Sequence, residues 1–366
     1  MNKKNDLYKI AISLLHGIGP VRAIQLVSKT DELIDIFELS YHQLWQKTGI
    51  AISLLKQMKR NEALEKAKEQ LEYLEKIDGK MVFFTEEEFP RRLRQCPDTP
   101  IVMFSKGNFE MNHAKIISIV GTRNITPYGV RLVEELIETI QNRNILVVSG
   151  LAYGVDIEVH RKCVEKGIAT VGVLGHGLDR LYPSRHKNVA KQMIENGGLL
   201  TEFTIKTNPD RENFPMRNRI VAGFSDATIV IESKEKGGSI ITANLANDYN
   251  RDVFAFPGDI DKPYSSGCNK LILDQKANLI TCGSDLLKWM NWDLEKKEKR
   301  QKEMFIELLP EEKTIVELLK DESELHADVL CFKSNFSPSQ MNVILFNLEM
   351  SNIVQQLPGK RFRLLF

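Results

Sequence analysis

Between residues 80 and 290 the chain alternates short β-branched runs with glycine-bearing loops and amphipathic stretches, and this alternation restricts the fold more than any other feature. The runs are Ile116–Val120, Ile145–Val148, Ala169–Leu174, Leu199–Phe203, Ala227–Ile231 and Val253–Phe256. None alternates strictly between apolar and polar, so each reads as a strand buried on both faces. Between them lie helical segments such as Pro127–Gln141, with Thr126 placed as N-cap and Pro127 at the first helical position. Strand–helix–strand order with right-handed crossovers gives an α/β doubly wound parallel sheet.

The flanks read differently. A chain of 366 residues exceeds one hydrophobic core, so further domains are expected. Residues 1–65 read as short helices around Gly17-Ile18-Gly19-Pro20, with a fainter echo at Thr48-Gly49-Ile50. Such a turn can hold a phosphate on its backbone N–H groups, or it can be a tight helix–helix turn and nothing more. The segment Asn61–Lys76 is a charged connecting helix, and the extended central domain is assigned to 66–290. The run Glu295–Arg300 marks a linker over 291–305. Residues 306–366 read as three helices followed by two strands about Pro358-Gly359, a winged helix.

Bulk composition narrows the classes. Five cysteines, odd in number and without a C-x-x-C pair, fit neither a disulfide framework nor a zinc site, and they suit a reducing cytoplasm. Lys9 interrupts the first apolar run, so no signal peptide is read, and no apolar stretch approaches the ~20 residues needed to span a membrane. A net charge of +1 means that any basic surface is local.

Ligands of an open parallel sheet bind at the carboxyl ends of its strands. There the chain places Gly121-Thr122-Arg123, then Ser149-Gly150 with Tyr153-Gly154, then Gly175-His176-Gly177, then Lys236-Gly237-Gly238-Ser239, then Pro257-Gly258. Glycine permits close backbone approach, and helix N-termini offer unpaired N–H groups to anions. No G-x-x-x-x-G-K-[ST], no G-x-G-x-x-G in the first strand–helix unit, no H-E-x-x-H and no nucleophile elbow is present. These absences argue against nucleotide hydrolysis, dinucleotide cofactors, metal catalysis and a serine nucleophile, so a binding protein without cofactor is expected, not an enzyme. Phe214, Met216, Arg217, Asn218 and Arg219 stand where a helix begins after the fourth run. Arginine matches phosphate oxygens bidentately, and Phe214 and Tyr153 can stack on bases, which describes a single-strand groove. The plainer reading pairs Arg217 or Arg219 with a neighbouring carboxylate. His160 and His176 are expected to hydrogen-bond within the fold.

Taken in order, these strings resemble the bacterial DNA-processing protein A family, also called DprA or Smf, over almost the full length. They include Gly121-Thr122-Arg123, Ser149-Gly150-Leu151-Ala152, Val173–Asp179 with Tyr182-Pro183, and Gly197–Glu202. Further along come Arg217-Asn218-Arg219-Ile220, Gly238-Ser239 with Thr242-Ala243, and Phe254–Gly258. The resemblance implies a Rossmann-like domain that dimerises and binds single-stranded DNA, flanked by a helix-hairpin-helix or SAM-like domain and a winged helix. It further implies a role in natural transformation, protecting incoming DNA and loading the recombinase RecA onto it. Tyr153 departs from the family, which commonly has a basic residue in that turn. Two rivals remain. One is a nucleoside monophosphate phosphoribohydrolase, which Gly237-Gly238-Ser239 resembles, although Ile240–Asn244 lack the expected acid. The other is a duplex-binding regulator, although Gln340–Met350 carries almost no cations.

Overall fold

The six β-branched runs all become strands in the computed structural model, which describes residues 3–293, 309–322, 324–351, 353–357 and 359–365. An antiparallel pair, β1 (Lys80–Phe83) and β2 (Val102–Gly107), precedes them. Then come β3 (Ile116–Val120), β4 (Leu146–Ser149), β5 (Thr170–Val173), β6 (Gly197–Thr201), β7 (Ala227–Val230), β8 (Asp252–Ala255) and the short β9 (Asn278–Leu279). The sheet order is β1-β2-β6-β5-β4-β3-β7-β8-β9, with β3 to β9 parallel and β2 antiparallel to β6. Every residue of β3, β4, β5, β6 and β7 is buried, as expected of strands covered on both faces by crossover helices. The edge pair β1–β2 lies outside the six runs, although Met81–Phe84 and Ile101–Phe104 are apolar stretches of the same length as Ile145–Val148.

The topology contains one reversal. From β3 the chain builds outward through β4, β5 and β6, then returns to lay β7 against the other side of β3. Ile117 accordingly sits opposite Val147 on one side and Ala227 on the other. A crevice opens at the carboxyl end of such a reversal, between the loops that leave β3 and β7. Thr126 caps the helix Pro127–Ile140 by accepting from the Gly129 N–H, in agreement with the sequence reading.

The N-terminal helices and the sheet form one compact unit ending at Asn291. Ile10, Leu26, Leu44 and Leu55 of the helices share a core with Phe83, Ile101 and Phe104 of the β1–β2 region. Gly17 takes φ 74° in the turn ahead of the helix Pro20–Lys29. Gly49, at φ 72°, ends the helix Tyr41–Thr48, whose start is a Ser40–Gln43 capping box. The charged linker assigned to 291–305 lies, from residue 294 on, outside the described residues.

The C-terminal unit has its own core of Ile315, Leu330, Leu345 and Phe362. Three helices, Pro310–Asp321, Ala327–Ser334 and Pro338–Met350, pack against a three-stranded sheet. Its strands are β10 (Leu325–His326), β11 (Val354–Leu357) and β12 (Arg361–Leu364), in the order β10-β12-β11. This is a winged helix.

Candidate nucleic-acid interface

At the crevice between the β3 and β7 loops lies a groove of about 860 Å³. Gly121, Thr122, Arg123, Gly150, Phe214 and Asn218 line one part of it, and Lys236, Gly237, Gly238 and Ser239 another. The groove is open and cationic. Arg123 and Lys236 are exposed within it, joined by Lys234 of the same loop and by Arg211, the latter not named by the sequence reading. None of these four forms an ion pair with a carboxylate among the described residues. The helix Gly238–Asp248 starts at the groove wall, and nothing stands within 4 Å of a Cβ built on Gly238. A phosphate can therefore approach that backbone closely.

Aromatic rings accompany the cations. The Arg123 guanidinium stands 5.4 Å from the centroid of the Phe214 ring. Tyr182, 47% exposed, has its ring 6.1 Å from that of Phe214. On the opposite side the Lys234 ammonium lies 5.1 Å from the Tyr264 ring, and the Tyr264 hydroxyl accepts from Asn124 Nδ2 at 3.1 Å. Tyr153 faces a small recess shared with Gly150, His176, Tyr182 and Phe214, and its ring packs edge-on against His186 at 5.1 Å. Tyr153 thus brings an aromatic ring, and no charge, to this recess.

Several sequence candidates sit elsewhere. Arg217 borders the groove but is only 4% exposed, its Nη1 donating to the Val173 carbonyl at 3.2 Å. Burial pushes the Arg217 pKa down, with attraction to Asp156 opposing. Burial likewise raises the pKa of Asp156, against the pull of Arg217. The pair supports the 149–156 turn from below, where the Asp156 carboxylate accepts from the Ala152 N–H at 3.2 Å. Ser149 is fully buried and donates its hydroxyl to the Ile119 carbonyl at 2.7 Å, linking β4 to β3. Gly154, at φ 77°, lets this turn pass against Thr122 and Arg123, where a side chain would collide.

Met216 and Arg219 leave the groove altogether. They line a separate cavity of about 290 Å³ with Leu14, Ile18 and Glu202. The reason is helical period: in the helix Asn213–Gly223, positions 214 and 218 share one face while 216 and 219 share another. Arg219 pairs with Glu202 and donates to the Asp98 carbonyl, so the carboxylate-pairing alternative holds for it. His160 and His176 are hydrogen-bonded within the fold, to Thr170 Oγ1 at 2.8 Å and from the Tyr182 N–H at 3.2 Å respectively. Arg211 carried a legible signal, a cation just ahead of a helix start. Tyr182 stood in a family string but was not assigned to the groove, and Tyr264 carried no signal, because both come from loops distant in sequence from Phe214.

Comparison with known proteins decides the family. The model of the DNA recombination-mediator protein A family matches residues 80–291, more than half of the chain. The chain belongs to that family. A DprA winged helix domain model matches residues 306–360. Among curated members of the DprA family, Protein Smf of Synechocystis is 31% identical over 296 residues, covering 78% of this chain and 73% of that one. The DNA processing protein DprA of Bacillus subtilis is 39% identical over 201 residues, covering 55% of this chain and 67% of its own. The solved DprA of Streptococcus pneumoniae aligns with a TM-score of 0.65 at 29% identity, covering 78% of this chain and 96% of that one. DNA processing protein A of Helicobacter pylori, solved for its single-stranded DNA binding mode, aligns with a TM-score of 0.54 at 26% identity, over 59% and 97%. Among the described residues no helix is long and apolar enough to cross a membrane.

Proposed function

We propose that the chain binds single-stranded DNA along the groove at the carboxyl rim of its sheet and breaks no covalent bond there. The observation that carries this reading is the set of four exposed cations, Arg123, Arg211, Lys234 and Lys236, interleaved with Phe214, Tyr182 and Tyr264 in one groove. A strand of phosphates and unstacked bases fits such a lining better than a single small ligand. The single-strand binding of the Helicobacter pylori relative supports the same reading. Affinity for one oligonucleotide, single against duplex, over a salt series tests it. Four phosphate contacts give a slope of log affinity against log salt of roughly −3 for the single strand. Equal affinity for duplex, or a slope near zero, removes the proposal. Base release from nucleoside monophosphates at enzymatic rates would replace it with the hydrolase reading.

The family's DNA-processing relatives support a wider role, which we propose as well. The protein acts in the cytoplasm as a homodimer, receives single strands during natural transformation, protects them and loads RecA. Two copies would double the phosphate contacts on one strand. Light scattering at micromolar concentration reads the dimer, and the rate of RecA assembly on a coated single strand, with and without the protein, reads the loading. A monomer, or an unchanged assembly rate, overturns the corresponding part.

A further inference from the structure

Glu232 follows β7 by two residues and is 3% exposed, so it offers nothing to a ligand. It nevertheless holds the segment that carries Arg123, one of the groove's exposed cations. The Glu232 backbone carbonyl accepts from the Thr122 N–H at 2.8 Å. Its carboxylate accepts twice from Thr126, from the N–H on Oε2 at 2.9 Å and from the hydroxyl on Oε1 at 2.6 Å. The two ends of the five-residue segment Thr122–Thr126 are thus tied to one side chain and its own backbone. Within the segment the Thr122 hydroxyl accepts from the Asn124 N–H at 3.1 Å. Arg123 stands at the top of this turn, exposed, with its guanidinium over Phe214.

Two further features fit the carboxylate to this place. Gly129 lies against it, where a Cβ would collide with Oε2. The helix Pro127–Ile140 begins here, and negative charge is favoured at a helix N-terminus. The Thr126 hydroxyl donates to Glu232 while accepting from the Gly129 N–H at 3.3 Å, so cap and clamp are one unit.

We propose that Glu232 is a positioning residue for single-strand binding: it fixes the Thr122–Thr126 turn from beneath the sheet rim so that Arg123 meets a phosphate. This rests on the single-strand reading above. A structural role alone would change stability and leave the salt dependence intact. A positioning role changes the salt dependence, and does so through Arg123.

The experiment measures single-strand affinity over a salt series for Glu232→Ala, Glu232→Gln and Thr126→Val, each with Arg123 present and with Arg123→Ala. Thermal melting in parallel identifies folded variants, and Thr126→Val, which removes the two hydrogen bonds of the Thr126 hydroxyl but keeps that of its N–H to Glu232, covers the case in which Glu232→Ala does not fold. The expected result is a shallower slope for Glu232→Ala and Thr126→Val, by up to ~0.7, the share of one phosphate. Glu232→Gln keeps most of the binding, since a carboxamide oxygen still accepts from the Thr126 N–H. In the Arg123→Ala background these changes add no further loss. Full additivity with Arg123→Ala, or an unchanged slope in folded variants, overturns the positioning role while leaving the groove reading in place. An Arg123→Ala variant that binds like the unaltered protein overturns both.

Discussion

The Arg217 guanidinium occupies the space in which a Cβ on residue 150 would stand. Glycine at 150 is therefore a packing requirement, whereas Gly238, with nothing within 4 Å of its Cβ position, is free of one. Gly150→Ala should displace the buried guanidinium and cost about 2 kcal/mol, within the range for overpacking. It should lower both the melting temperature and single-strand affinity. Gly238→Ala should leave melting unchanged and weaken binding alone, since its methyl group projects where a phosphate approaches the helix start. Paired melting and fluorescence anisotropy measurements separate the two. Equal loss of stability in both would contradict this division of roles.

Two arginines that the sequence offered as phosphate contacts, Arg123 and Arg219, part company in the same way. Arg123→Ala removes an exposed groove cation and should reduce the salt slope for single strands by ~0.7 without altering melting. Arg219→Ala instead strips Glu202 of its partner in a mostly buried setting, where burial already raises the carboxyl pKa. It should cost about 3 kcal/mol of stability, as breaking a buried pair does, and leave the slope as it was. A matching slope change for both variants would return Arg219 to the interface.

Stacking is read where electrostatics are screened. Tyr182→Ala should weaken single-strand binding by about 1–3 kcal/mol per stacked base at high salt, and Tyr182→Phe should not. Loss in both variants would point to the hydroxyl. Loss in neither would leave Tyr182 a bystander of the Phe214 ring.

How much of this was legible follows from the distance over which each signal acts. The parallel strands were, because burial on both faces writes a continuous apolar run into adjacent residues. The Gly121, Gly150 and Gly237 turns were, because a strand end followed by glycine is a local event. The face of the helix Asn213–Gly223 was misjudged when Arg217, Asn218 and Arg219 were taken as neighbours in space. Consecutive helical residues point about 100° apart, which sends them to the sheet, the groove and the second cavity. Tyr182, Tyr264 and Glu232 were not assigned to the site, since crossovers far apart in sequence bring them together.

His160 supplies the last prediction. It is fully buried, and its Nδ1 lies 2.8 Å from the Thr170 hydroxyl oxygen. That hydroxyl donates its proton to the Val147 carbonyl at 3.1 Å, so Nδ1–H is the donor and Nε2 carries a bare lone pair without a partner. Burial first, then His186 and Arg217, push the His160 pKa down to about 3. Between pH 6.5 and that value the unfolded chain holds a proton that the folded chain does not, so stability falls as pH falls through this window. The slope from this group is about 1.4 kcal/mol per pH unit well below pH 6.5. His160→Gln, whose carboxamide still donates to Thr170, should be less stable at neutral pH but should lose less on acidification. Melting temperature measured from pH 7 to 4.5 should therefore fall less steeply for the variant. Parallel curves would mean that acid sensitivity arises from the carboxylates alone, and that His160 takes up its proton without cost to the fold.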